Sequence, residues 1–299
     1  MPGPERQASP IGFALRDPYP WADLAGLARA GEAAGYQALF LPEVGARDTL
    51  AALTGLAGET DQLLLATGVV PLPARSPALL AMAAATVQER SAGRLLLGIG
   101  TGPSTAGALA RLRSTVEALR AAFAGGTGAV DGVAVATDLR QSSPPQIWIA
   151  ALGPKATRLA GAVADGVILN WCTPERVGAA VAQVREGAAS AGRDPAGVTI
   201  AVYVRAALAP GAGEAARQAA TVYAGYPAYR RQFVELGIDP TDPDDVVRQV
   251  MLTDRTTARE RLDAYRAAGA HLPVVYPVLP GGDPTQAAAR LTLDLLAPT

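Results

Sequence analysis

The chain has 299 residues, is 49% hydrophobic but only 5% aromatic, and carries 26 Lys and Arg against 27 Asp and Glu. That length buries a large core without cross-links, and a near-neutral balance with no basic stripe excludes a nucleic-acid surface and an anionic-membrane surface. One cysteine rules out an internal disulfide and fits a reducing compartment; MPGPERQASP has no apolar signal core and LLLATGVV is too short to span a bilayer, so a cytoplasmic protein is expected.

Strand-like and helical runs alternate along the chain. IGFALR (11–16) reads as a first strand and WADLAGLARAGEAAG (21–35) as a helix that stops at Gly35. ALFLPE (38–43) is the second strand, 48–60 its helix, and LLLATGVV (63–70) the third strand. Ser76 as N-cap and Pro77 at the first position open a helix over 76–93. RLLLGIG (94–100) is the fourth strand, followed by a helix over 106–124, and residues 125–140 have hairpin character. The alternation resumes with QIWIA (146–150), a helix from Pro154, GVILN (166–170) and a helix from Pro174 to Ala191. TIAVYVRAAL (199–208) is the seventh strand, 213–268 is a broken helical region, VVYPVL (274–279) is the eighth strand, and Pro284–Leu296 closes the set. Eight strands in strict alternation with helices predict one domain over 1–299, a closed (β/α)8 TIM barrel. A hairpin is inserted after the fourth helix and helices before the eighth strand; a doubly wound open sheet is the alternative.

In such a barrel the chemistry sits at the carboxyl ends of the strands. That rule nominates Asp17, Glu43, Thr67, Gly68, Val69, Gly100, Thr101, Gly102, Ala150, Ala151, Leu152, Gly153, Pro154, Lys155, Asn170 and Arg205. Gly153-Pro154-Lys155 follows a strand and opens a helix, where backbone N–H groups, the dipole and one ammonium suit a phosphate; an ordinary turn with a solvated lysine is the alternative. Glu43 is a candidate for proton transfer or for orienting a substrate amine, against a structural pair with Arg47 or another basic neighbour. Asp17 is a second catalytic candidate, against a plain turn in Arg16-Asp17-Pro18.

Period-two alternation sorts the seventh strand. Ile200, Val202 and Val204 form an apolar face toward the helices, which leaves Tyr203 and Arg205 toward the barrel axis as candidate substrate contacts. Arg205 then holds an anionic group or sits in an internal ion pair. His271, the single histidine, precedes the eighth strand at the end away from the site, and with one histidine and one cysteine no transition-metal set is expected. Cys172 lies near the mouth and reads as packing. Tyr223, Tyr226, Tyr229 and Phe233 recur at helical spacing broken by Pro227, as packing, a homodimer face or an aromatic lid.

Three stretches carry a resemblance: TGVVPLPARSPALLAMAAATVQERSAGRLLLGIGTG (67–102), ALGPKATRLAGAVADGVILN (151–170) and AGRDP (191–195). They resemble the bacterial-luciferase-like flavin and deazaflavin oxidoreductases, most of all the branch named for methylenetetrahydromethanopterin reductase. The resemblance implies a barrel enzyme that transfers hydride between coenzyme F420 and a small organic substrate. It also implies a non-proline cis bond at Gly68-Val69 behind the deazaflavin ring, cofactor phosphate at 151–155, and a glycine turn at 98–102 beside the ring. An FMN-dependent monooxygenase and a non-catalytic flavin-binding protein stand as alternatives. Pro103 replaces the acidic residue common after the fourth-strand glycines, and Val44 occupies the position where alcohol- and sugar-oxidising relatives carry histidine. These departures count against an alcohol dehydrogenase.

Overall fold

A strand buried on both faces needs a mostly apolar run, and the eight barrel strands have one, with Thr67, Gln146, Asn170, Thr199 and Arg205 as polar exceptions at or near their ends. The computed structural model describes residues 10–16, 18–103, 105–140, 143–280 and 286–298. The barrel strands are Gly12–Ala14, Ala38–Leu41, Leu64–Thr67, Leu95–Gly100, Gln146–Ala150, Gly166–Asn170, Thr199–Ala206 and Leu272–Pro277. All pair in parallel with their neighbours. The ring closes where Gly12 of the first strand opposes Val274 of the eighth.

Alternation along each strand sends one set of side chains to the axis and the other to the helices. Ala14, Phe40, Ala66, Leu96, Trp148, Ile168, Tyr203 and Val274, one from each strand, belong to the axial core. Phe40 meets the Trp148 ring tilted at 6.0 Å and the Tyr203 ring edge-on at 5.7 Å, so the large rings interlock across the axis. The outward set, including Leu39, Leu65, Leu97, Ile147, Val167 and Val202, packs under the helices. Those helices are α1 (Trp21–Ala33), α2 (Thr49–Leu56), α3 (Pro77–Arg90), α4 (Ala108–Phe123), α5 (Pro154–Val163), α6 (Pro174–Ser190), α7 (Ala212–Ala224), α8 (Pro227–Glu235), α9 (Pro243–Val250), α10 (Ala258–Ala267) and α11 (Gln286–Leu296).

Several boundaries move. The third strand is interrupted: it stops at Thr67, and pairing resumes at Val70–Pro71 after a cis bond at Gly68-Val69. The eighth strand starts at Leu272, because Leu272 and Pro273 already pair with Ala201 and Val202. Ser76 holds the N-cap position of α3 but makes no capping hydrogen bond there. The hairpin after α4 pairs Gly128–Val130 with Val133–Val135. Pro284, taken as the start of the closing helix, lies outside the described residues. Among the described residues, no helix is long and apolar enough to cross a membrane, and no cluster of His, Cys, Asp and Glu suits a metal ion.

Candidate active site at the barrel mouth

The interruption after the third strand shapes one wall of the mouth. The Tyr203 hydroxyl donates to the Gly68 carbonyl at 3.2 Å, and Thr67 Oγ1 donates to the Gly98 carbonyl at 2.6 Å. A Cβ on Gly68 would overlap the Tyr203 hydroxyl, and one on Gly98 would overlap the Thr67 carbonyl. At Gly100 a Cβ would press on Val69 at 3.0 Å. Gly98 and Gly100 of GIGTG therefore make room for the bulge itself, while Gly102 lies against Pro73. Thr101 is half-buried at the rim, Gly102 is exposed, and Gly102 takes a left-handed φ of 67°.

Facing this wall, the inward register of the last three strands ends in Asn170, Arg205 and Tyr276. Arg205 Nη1 donates to Asn170 Oδ1, and Asn170 Nδ2 donates to the Tyr229 hydroxyl at 2.9 Å. The guanidinium carbon stands 4.2 Å from the Trp171 ring centre and 4.9 Å from those of Tyr223 and Tyr276. Arg205 is 6% exposed, and among the described residues no carboxylate lies within 4 Å of it. The expected alternative of an internal ion pair is thus replaced by an aromatic box. Burying an ion costs several kcal/mol, and desolvated cation–π contacts return about 2 kcal/mol each, so three rings offset much of that cost.

The box is held from above by the helices inserted before the eighth strand. Gln232 of α8 donates to the carbonyls of Asn170 at 3.0 Å and Trp171 at 2.6 Å. This clamp accompanies a left-handed backbone at Trp171, φ 52°, rare for a bulky residue. Tyr223 meets the Trp171 ring tilted at 4.5 Å and Phe233 meets it edge-on at 6.0 Å between centres. Loss of water holds the Tyr229 and Tyr276 phenols up to about 12, and burial also pushes Tyr203 well above the usual phenol range. The tyrosine segment thus packs over the mouth, with Tyr226 exposed at its edge.

Glu43 sits at the rim above the second strand. Both its oxygens accept from Arg75, at 2.9 Å from Nε and 2.8 Å from Nη2, and Arg75 also bridges Asp48 at 2.6 Å. The basic neighbour is Arg75; Arg47 instead donates to the Tyr19 carbonyl. Asp17 lies outside the described residues.

The loop Ala150–Lys155 ends the fifth strand and starts α5, with Gly153 as N-cap and Pro154 at the first position. A Cβ on Gly153 would meet nothing within 4 Å, and the N–H groups of Lys155 and Ala156 lie in the first turn of α5, where no intrahelical carbonyl reaches them. Ala151 is buried and Leu152 half-buried, whereas Lys155 is exposed beside Arg113 and Arg158 in an outer groove of about 390 Å³. Arg176 of α6 fixes the loop from below, donating to the Leu152 carbonyl at 2.8 Å and to Thr157 Oγ1 at 2.9 Å. His271 is remote, its Nδ1 accepting from the Ile200 N–H at the amino-terminal end of the barrel. Cys172 is buried, which pushes its thiol up to about 12.

Trp171, Arg176, Gln232 and Tyr276 had no place among the expected site residues, whereas Arg75 was expected only as a fallback anion contact beside Arg205. Alternation through Leu272, Val274 and Tyr276 was the available signal for Tyr276. The others depend on contacts between distant segments, which spacing does not encode.

Known proteins resemble this chain in sequence and in fold. A 5,10-methylenetetrahydromethanopterin reductase of Methanolobus tindarius is 31% identical over 252 residues, covering 79% of this chain and 77% of its own. A solved F420-dependent secondary alcohol dehydrogenase in complex with an F420-acetone adduct superposes with a TM-score of 0.77 over 97% of both chains, at 16% identity. The coenzyme F420-dependent tetrahydromethanopterin reductase of Methanopyrus kandleri gives 0.73 over 97% of this chain and 98% of its own, at 18% identity. At such identities the superpositions speak for the fold. The profile of the luciferase-like monooxygenase family matches residues 5–292, and the chain belongs to that family.

Proposed function

We propose that this chain is an F420-dependent oxidoreductase that works as a reductase on a small organic substrate with a C=C or C=N bond, a heterocycle included. The observation that carries this reading is the identity with a methylenetetrahydromethanopterin reductase over most of both chains. The mouth fits the cofactor: the Gly68-Val69 bulge offers a wall for a flat ring, and the open α5 N-terminus with Lys155 suits a phosphate. Val69, Gly100, Thr101, Gly102 and Ala150 would border the ring, and Ala151–Lys155 the phosphate. When bound, the reduced deazaflavin supplies a hydride to the substrate carbon, and a proton from solvent or a rim acid completes the two-electron reduction.

The chain's own part is placement and exclusion of water. Tyr203 holds the bulge through the Gly68 carbonyl, Arg176 holds the phosphate loop, and Gln232 holds the cap. Glu43, gripped by Arg75, orients the rim between the second and third strands. Arg205 would face the substrate side, and Asn170, expected as a cofactor contact, holds its guanidinium. Titration with F420 and with FMN tests this reading: tight F420 and weak FMN binding supports it. Preferential binding of FMN would return the monooxygenase reading that the family name carries.

A further inference from the structure

The buried charges among the described residues are Arg176 and Arg205, and Arg176 spends all three of its nitrogens on the Leu152 carbonyl, Gln183 Oε1 and Thr157 Oγ1. Glu43 has Arg75 as an ionic partner, and Asp165 has Arg120. Arg205 has none among the described residues, and its Nε and Nη2 make no hydrogen bond there. Beside it, the indole Nε1 of Trp171 is buried without a hydrogen-bond partner, although Trp171 is only 1% exposed. The Tyr223 and Tyr276 hydroxyls, both in half-buried residues against the same guanidinium, are also unpartnered among the described residues. The nearest acceptor, Asn170 Oδ1, is already taken. The corner therefore gathers a positive charge, an unpaired indole donor and two phenols that can donate or accept, between flat apolar walls, and it holds no carboxylate among the described residues. A buried donor left unpaired is costly, and a bulky residue in a left-handed backbone is the kind of outlier that clusters at ligand sites.

We propose that Arg205 and the Trp171 indole N–H seat a carboxylate of the substrate, so that the substrate is a planar, unsaturated or imine-bearing organic acid. A carboxylate supplies the two acceptor oxygens that the guanidinium fork lacks. The Trp171, Tyr223 and Tyr276 rings suit a flat body extending from it toward the Gly68-Val69 wall. This assignment rests on the reductase reading for the identity of the reacting bond, but not for the anion seat.

The test is calorimetric titration of the cofactor-free chain with benzoate and trans-cinnamate as probes and inorganic phosphate as comparator. Both aromatic acids should bind the wild-type chain. Arg205→Met should weaken them about 10- to 150-fold, the range for a lost charge-assisted hydrogen bond. Trp171→Phe keeps a ring and removes the indole N–H, and should weaken both several-fold; Arg205→Lys should retain part of the affinity and serves if Arg205→Met does not fold. Exposed Arg230→Met on α8 should change nothing. Absence of binding to the wild-type chain, or equal binding by the Arg205 variants, overturns the proposal. If phosphate displaces benzoate and the Arg205 variants lose F420 in proportion, the seat belongs to the cofactor and the substrate assignment falls. Because the titration contains no cofactor, failure of F420 binding alone leaves the acid seat standing.

Discussion

The Tyr203 hydroxyl reaches across the barrel axis to the Gly68 carbonyl at 3.2 Å, joining the seventh strand to the bulge after the third. Phe40 and Tyr276 meet the same ring edge-on, at 5.7 and 5.6 Å between centres, so the phenol has little freedom to swing away. Tyr203→Phe removes the bond while keeping the ring. It should lower stability by about 0.5–1.5 kcal/mol and raise the Kd for F420. Gly68→Ala should be worse, because the added methyl overlaps the hydroxyl. Chemical denaturation with parallel F420 titration checks both, and the double variant Gly68→Ala, Tyr203→Phe should recover part of the Gly68→Ala loss.

The ion pair at the rim separates two roles for Glu43. If Glu43 acts by fixing Arg75, then Glu43→Gln and Arg75→Met should lower kcat by similar factors, and the double variant should be no worse than either alone. If Glu43 handles a proton itself, Glu43→Gln alone should cause most of the loss. We expect the first pattern, since both carboxylate oxygens are engaged by Arg75.

Lys155 tests the phosphate loop. Lys155→Ala should weaken F420 by about tenfold, the low end for one charge-assisted contact, because the helix N-terminus and its N–H groups remain. The deficit should shrink at high salt and vanish for a dephosphorylated deazaflavin. An equal deficit with the dephosphorylated compound would move the phosphate elsewhere on the mouth.

The tyrosine cluster gives a pH dependence. Loss of water raises the Tyr229 and Tyr276 phenols to about 12, from about 10 in the unfolded chain. Between those values the folded chain keeps protons that the unfolded chain releases, so their stabilising contribution is complete below about pH 10 and is lost as the pH rises through 12. Urea midpoints should fall across that window, and the Tyr229→Phe, Tyr276→Phe double variant should show a shallower fall. An unchanged slope would mean that these phenols do not titrate with unfolding.

Cys172 should be silent toward thiol reagents in the folded chain. It is 1% exposed, its thiol is pushed up by burial to about 12, and reaction requires the thiolate. Labelling should appear only after denaturation, and rapid labelling of the native chain would place Cys172 at an open edge of the mouth.

Local rules acted on this sequence strongly enough to be read directly. The order of strands and helices, the hairpin after α4, and the outward Ile200, Val202 and Val204 against the inward Tyr203 and Arg205 all follow from alternation and turn chemistry. Those depend on neighbours a few residues apart, where covalent geometry sets the direction of each side chain. Tertiary structure decided which partners meet. That Arg75 rather than Arg47 grips Glu43, that Arg205 receives three rings instead of a carboxylate, and that Gln232 pins Trp171 depend on segments 18 to 71 residues apart brought together by barrel closure and the α7–α9 cap. A buried charge or backbone carbonyl takes whichever group the closed ring delivers within hydrogen-bonding reach, and no local periodicity specifies that choice.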